Sequence, residues 1–190
     1  MAKAGRTGVS AKTPKQIFFG AGTVHFDFDI SADNHDSTII GATSGGSTLT
    51  ITPEITPIEA DGSLVAAKGL KVKTGEVATL KINFLELPQS LLESAVLGEG
   101  GTSTITGHSL IQSKASIEEG DYYDNIALVG QTVDGEDIIV ILKNALCISG
   151  LELGTENKNS GVVELEFECH ADLDGDLDTL PWEIHYPTVA

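Results

Sequence analysis

The stretch ITPEITPIEADGSLVAAKGLKVKTGEVATLKINFLELPQSLLESAVLG, residues 51–98, decides how the chain folds. Its first ten residues put Ile51, Pro53 and Ile55 on one face and Thr52, Glu54 and Thr56 on the other, the period of two that marks a half-buried strand. Asp61-Gly62 turns the chain. Leu70, Val72, Ala78, Leu80, Ile82 and Phe84 then share one parity, with Lys71, Lys73, Thr79, Lys81 and Asn83 opposite, so a second long strand returns, bulged at Thr74-Gly75. At Pro88 the period changes. Leu87, Leu91, Leu92, Ala95 and Val96 recur at helical spacing, Pro88 suits a first turn and Gly98 the residue just past the end, which predicts one amphipathic helix over about 88–97. Pro53 and Pro57 cannot donate to a ladder, so the outgoing strand should be an edge. The stretch therefore predicts a mainly β chain: a β-sandwich or barrel of antiparallel strands with one flanking α-helix and an extended hairpin loop.

Working outward, Val24, Phe26, Phe28 and Ile30 alternate with His25, Asp27 and Asp29, a strand with one acidic face. Beyond the helix, Gly98–Gly101 reads as a flexible connector. Asn125–Val133 and Asp137–Asn144 flank Asp134-Gly135, a dipeptide that suits a two-residue hairpin turn. Ile138–Leu142 is apolar on both faces, which predicts a central strand covered on both sides, on one of them by the helix. From Gly161 to Ala171, Val163, Leu165, Phe167 and Cys169 point inward, with Glu164, Glu166, Glu168 and His170 outward. Trp182, Ile184 and Tyr186 predict a last strand.

The 190 residues suit one domain, 16–190, behind a flexible basic arm, 1–15. There are 28 acidic and 11 basic residues, a net charge of -17. Lys3, Arg6, Lys12 and Lys15 belong to the arm, so the remainder carries seven basic residues against the 28 acidic ones, a formal -21. This balance excludes a protein that grips nucleic acid by neutralising phosphates. Cys147 and Cys169 have no metal-ligand spacing and read as small buried hydrophobes. No run of about 18 apolar residues predicts a transmembrane helix, and no secretory leader is expected.

Few motifs suggest chemistry. Gly20-Ala21-Gly22 lacks the third glycine and the following helix of a phosphate cradle. His25, His35, His108, His170 and His185 have no local nucleophile or carboxylate arrangement. Asp172, Asp174, Asp176, Asp178 and Glu183 keep the count of a calcium loop, but Leu177 stands where the glycine is needed and Gly175 comes two places early, so a solvated acidic turn is expected. No catalytic residue, metal or cofactor is expected. The Glu164, Glu166, Glu168 ladder sets like charges roughly 7 Å apart along one face; alone, such a run reads as a solvated sheet face, and its repulsion is easier to understand if the face does a job that requires negative potential.

The ordered set Ile17-Phe-Phe-Gly-Ala-Gly22, Ile40-Gly-Ala-Thr-Ser-Gly-Gly46, Ile58-Glu-Ala-Asp-Gly62, Lys68-Gly-Leu-Lys-Val72, Ala78-Thr-Leu-Lys-Ile-Asn-Phe-Leu-Glu-Leu87 and Pro181-Trp-Glu-Ile-His-Tyr-Pro187 resembles the major tail (tail tube) protein of long-tailed, non-contractile bacteriophages. The resemblance implies a structural virion protein, not an enzyme, whose hexameric rings stack into the tube through which the genome leaves the capsid. It implies assembly in the host cytoplasm. The implied partners are other copies of itself and the tape-measure, tail-terminator and distal tail proteins. DNA would pass without specific binding, and no membrane is involved. Glu164, Glu166 and Glu168, with Asp27 and Asp29 as competitors, become candidates for an electronegative lumen, because a carboxylate wall repels a polyanion and keeps it mobile. Leu64, Val65, Lys68, Lys71 and Lys73 become candidates for a contact between rings, the alternative being a hairpin folded back onto its own sheet. A different class is a glycan- or protein-binding, adhesin-like β-sandwich. Such a module needs exposed aromatic platforms, and one Trp, three Tyr and six Phe, mostly of inward parity, leave few to spare.

Overall fold

The computed structural model describes residues 8–32, 38–62, 64–155, 157–158 and 160–188. Nine strands and one α-helix are formed among them. The strands are β1 (Phe18–Phe26), β2 (Thr43–Pro57), β3 (Lys71–Phe84), β4 (Gly98–Gly101), β5 (Leu110–Ser113), β6 (Tyr123–Thr132), β7 (Asp137–Cys147), β8 (Val163–Cys169) and β9 (Trp182–His185), and α1 (Gln89–Val96) follows β3. Seven strands build one antiparallel sheet in the order β1-β6-β7-β8-β3-β2. β9 pairs with the Ile139–Leu142 part of β7, and β8 with its Ala145–Cys147 part. β1 and β2 remain edges, as the prolines of β2 require, so the sheet curls around its core without closing into a barrel.

Period-two patterning fills that core. Ala78, Leu80, Ile82 and Phe84 of β3 and Leu165 and Phe167 of β8 are fully buried and meet Ile126 of β6 and Leu142 of β7, while Leu91 and Ala95 of α1 cap one side. Burying each large side chain contributes roughly 1.5–3 kcal/mol. Cys147 and Cys169 lie on this face in adjacent rows, opposite Phe167 and Ala145 respectively. That diagonal spacing, roughly 7–8 Å, is too wide for a disulfide, and both thiols are free. Burial pushes the Cys169 thiol up to about 11 and raises that of Cys147 as well, so both stay protonated and unreactive at neutral pH.

Several expectations change. The helix is capped by an extended Pro88, and its left-handed residue is Leu97 (φ 48°) rather than Gly98. Gly98 serves close approach instead: a Cβ there would lie 2.8 Å from Gln112 O. Gly98–Gly101 is not a connector but β4, paired with β5, a ladder that a run of glycines could not signal through side-chain pattern. The β6–β7 turn holds three residues, not two, because Thr132 N–H bonds Glu136 O at 2.8 Å and Gly135 N–H bonds Thr132 O. β7 is central and covered on both faces as expected: on the core face Leu91 and Ala95 of the helix join the cluster that holds Val140 and Leu142, and on the other face Phe28 packs on Ala127 and Ile141.

Candidate functional site: a projecting hairpin and an acidic sheet face

β3 pairs with β2 from Lys71 to Phe84 but with β8 only from Thr79 to Phe84. From Val77 outward the hairpin is a two-stranded arm. At its base, Glu76 Oε1 meets Lys73 Nζ at 2.9 Å and Glu76 Oε2 accepts the Trp182 indole N–H at 3.0 Å. The Lys73 bond, then the indole bond, hold the Glu76 carboxyl below its usual range. The arm is thereby tied to β9.

The bulge changes the faces of this arm. Glu54 pairs with Gly75 and Ile55 with Lys73, which leaves Thr74 as an extra residue, and its hydroxyl lies 3.0 Å from that of Thr56. One inserted residue exchanges the two faces of a strand. Lys71 and Lys73 therefore join Ile55 and Pro57 on the core-side face, and Val72 turns outward, the reverse of uninterrupted alternation. The Lys73–Glu76 pair, on one side despite a spacing of three, shows the same exchange.

Beyond the ladder, Ile58 N–H donates to Leu70 O at 2.7 Å and closes the tip. Leu64 is 99% exposed and Val65 79%, so the tip does not fold back onto its own sheet. Of the candidate contact residues, Leu64, Val65 and Lys68 belong to the tip, Lys71 to the neighbouring ladder, and Lys73 to the latch on Glu76.

Glu164, Glu166 and Glu168 do form one ladder on the outer face of β8, opposite buried Val163, Leu165, Phe167 and Cys169. Register places them beside Asn83, Lys81 and Thr79 of β3; Lys81 and Thr79 lie beside Thr48 and Thr50 of β2, and the Asn83 amide donates to Gly46 O at 3.2 Å. Lys81 Nζ lies 3.1 Å from Glu164 and 3.9 Å from Glu166 and is held charged to higher pH, chiefly by its hydrogen bond to Glu164. The parity of Lys81 was readable, but its carboxylate partners required the β3–β8 pairing.

Asp27 and Asp29 do not belong to a strand face. β1 ends at Phe26, Asp27 adopts φ 50°, and its N–H bonds Asn125 O at 3.0 Å. The left-handed residue breaks the alternation. Phe28 accordingly lands on the opposite side of the sheet from Val24, where the Asn125 amide bonds both its N–H (2.9 Å) and its C=O (3.2 Å). His25, expected to point outward from β1, is buried against Phe28, with Thr38 and Thr23 hydroxyls at 2.9 and 3.1 Å. Loss of water around its carboxyl, and then the charge of Asp124, raise the Asp27 pKa. The two aspartates thus lie apart from the β8 ladder. His35 falls outside the described residues.

The Asp172–Asp178 loop joins β8 to β9. Asp172 Oδ1 accepts Asp174 N–H at 3.2 Å, while Asp176 accepts Asp178 N–H at 2.9 Å and the Thr179 hydroxyl at 2.8 Å. Two of its carboxylates are engaged in holding the turn, and no group of three metal-ligating side chains is gathered among the described residues. A recess of about 490 Å³ beside it is lined by Asp124, Lys143, Asp172 and Asp176 among others. Lys143 is itself bound to Glu183 at 2.5 Å, next to His185. Sequence pattern did not single out Leu173 and Leu177 of this loop, which are 87% and 64% exposed.

At the N-terminus, Thr13–Lys15 form a 3-10 turn, and Pro14 O accepts the Asp134 N–H of the β6–β7 turn at 3.3 Å. Residues 1–7, with Lys3 and Arg6, lie outside the described ones. No helix among the described residues is long and apolar enough to cross a membrane. No protein-family model matches the chain, and no curated protein matches its sequence.

Proposed function

We propose that this chain is the tube subunit of a long-tailed bacteriophage tail, a structural virion protein whose hexameric rings stack into a conduit for DNA. The observation that carries the proposal is the β2–β3 arm, a two-stranded ladder leaving the sheet with its apolar tip exposed. A monomer gains nothing by displaying Leu64 in water, whereas a subunit that meets other copies can bury it. The acidic composition supports the same reading, since a conduit for a polyanion works by not binding it. In this reading Glu164, Glu166 and Glu168 are the lumen candidates, their repulsion relieved in part by Lys81. Asp27 and Asp29 are weaker ones, being turn residues and not a continuous wall.

Negative-stain microscopy of the purified protein over a range of concentrations tests the function. Hollow tubes or six-fold rings are expected. A persistent monomer that binds glycans would overturn the proposal in favour of an adhesin-like module.

A further inference from the structure

Two loops expose leucines and differ in charge. The returning side of the arm tip, 62–73, carries Lys68, Lys71 and Lys73 with no carboxylate, and Leu64 is its most exposed apolar residue. The Asp172–Asp178 loop carries four aspartates and no cation, with Leu173 and Leu177 standing out among them. Asp172 and Asp176 hold the turn, and Lys73 is engaged by Glu76. That leaves Asp174 and Asp178, exposed and with no hydrogen bond to their carboxylates among the described residues, on one loop, and Lys68 and Lys71 on the other.

The two loops do not meet within one molecule. The acidic loop leads into Trp182, whose indole holds Glu76 at the arm base. The tip lies beyond the Lys71–Glu76 ladder, roughly 20 Å further out at about 3.3 Å per residue. We infer that the tip of the β2–β3 arm docks on the Asp172–Asp178 loop of a second copy, with Leu64 packing against Leu173 and Leu177, and Lys68 and Lys71 meeting Asp174 and Asp178. Charge complementarity selects this partner, because the tip lysines find there a carboxylate-rich loop that also presents apolar surface. The contact joins different surfaces of the two copies, so repetition gives a ring where the rotation closes and a filament where it does not. The inference rests on the self-assembly part of the proposed function and names the surface that receives the arm.

Charge exchange tests it. Lys68→Glu/Lys71→Glu and, separately, Asp174→Lys/Asp178→Lys should each leave the fold intact by circular dichroism, since all four side chains are exposed. Each pair should raise the concentration at which assemblies appear by roughly tenfold or more, the scale of a lost desolvated charge contact. The chain carrying all four changes restores opposite charges and should return most of the way to the parent concentration. If the loop variant assembles like the parent while the arm variant does not, or if the four changes together fail to rescue, the pairing is wrong although the arm still makes a contact. A parent protein that never assembles would overturn both this pairing and the proposed function.

Discussion

Two halves of one hairpin share a ladder and meet different surroundings. From Thr79 to Phe84, β3 is flanked on both edges and its core-facing side chains are fully buried, as is Ala78 just before them. From Lys71 to Val77 it keeps only β2 as a partner; Val72 and Val77 are substantially exposed, and Ile55 opposite Lys73 is 57% exposed. Their composition differs as well, since the inner half carries Ala78, Leu80, Ile82 and Phe84 and the outer half only Val72 and Val77 as apolar residues. The bulge at Thr74 then exchanges the faces of the outer half, beyond the end of the third strand. The outer half is thus built as a two-sided ribbon, and a ribbon of two strands is stable only while a packed sheet or another molecule holds it.

The largest effect should come from the inner half. Leu80→Ala is expected to cost about 3 kcal/mol, because a fully buried leucine leaves both lost transfer energy and a cavity. Ile55→Ala, one edge away and past the bulge, should stay within about 0.5 kcal/mol in the monomer. Urea midpoints of the two variants make the comparison. An Ile55→Ala loss as large as that of Leu80→Ala would mean that the arm is packed on something and the contrast is false.

A smaller effect tests the bulge itself. Inserting one threonine between Glu54 and Ile55, opposite Thr74, should absorb the bulge, restore uninterrupted alternation and turn Lys73 to the outer face, at a cost below that of Leu80→Ala through loss of the Thr56–Thr74 and Lys73–Glu76 links. Non-additivity is the sharper readout. In the parent, Lys73→Glu sets a carboxylate against Glu76 and should disturb the Trp182 emission; in the lengthened chain the same change should be silent. Equal disturbance in both backgrounds would show that Lys73 faces Glu76 without help from the bulge.

These cases also show what a single sequence holds. Strict alternation was readable where it is unbroken: in Ala78–Phe84, in Val163–Cys169 with its outward glutamates, and in the apolar Ile138–Leu142 that became the central strand. It failed where one residue resets the phase. The bulge was visible at Thr74-Gly75, but its effect on Lys71, Val72 and Lys73 followed only from the register with β2. Asp27, in a left-handed conformation that no pattern demands, moved Phe28 across the sheet and removed Asp27 and Asp29 from any strand face. Glycines at 98–101 carry no alternation to read, so β4 went unseen. For the candidate site, an apolar run after a tight turn pointed to a contact surface at the tip, and the exposure of Leu64 decided against a hairpin folded back onto its sheet. The bond from Trp182 to Glu76 and the place of Lys81 between Glu164 and Glu166 depend on partners far away in sequence.

The smallest expected effect is at the latch between the two halves. Trp182 is the only tryptophan, so its emission reports the environment of the Glu76 bond without interference. The Lys73 and Trp182 hydrogen bonds both favour the ionised carboxylate and hold the Glu76 pKa below 4.5. The sign follows. A depressed carboxylate pKa means that the latch contributes fully above the unfolded value near 4.5 and is lost as pH falls through the lower, folded value. Trp182 emission should therefore be flat from neutral pH down to about 4.5 and change only below it, while global unfolding, followed by far-UV circular dichroism, has not begun. Glu76→Gln keeps an acceptor for the indole N–H but loses the charge that holds Lys73, so its emission should start near the parent's neutral value and show no step. A parent step above pH 4.5, or an undiminished step in Glu76→Gln, would place the titrating group elsewhere and leave the arm without the tie that separates its base from its tip.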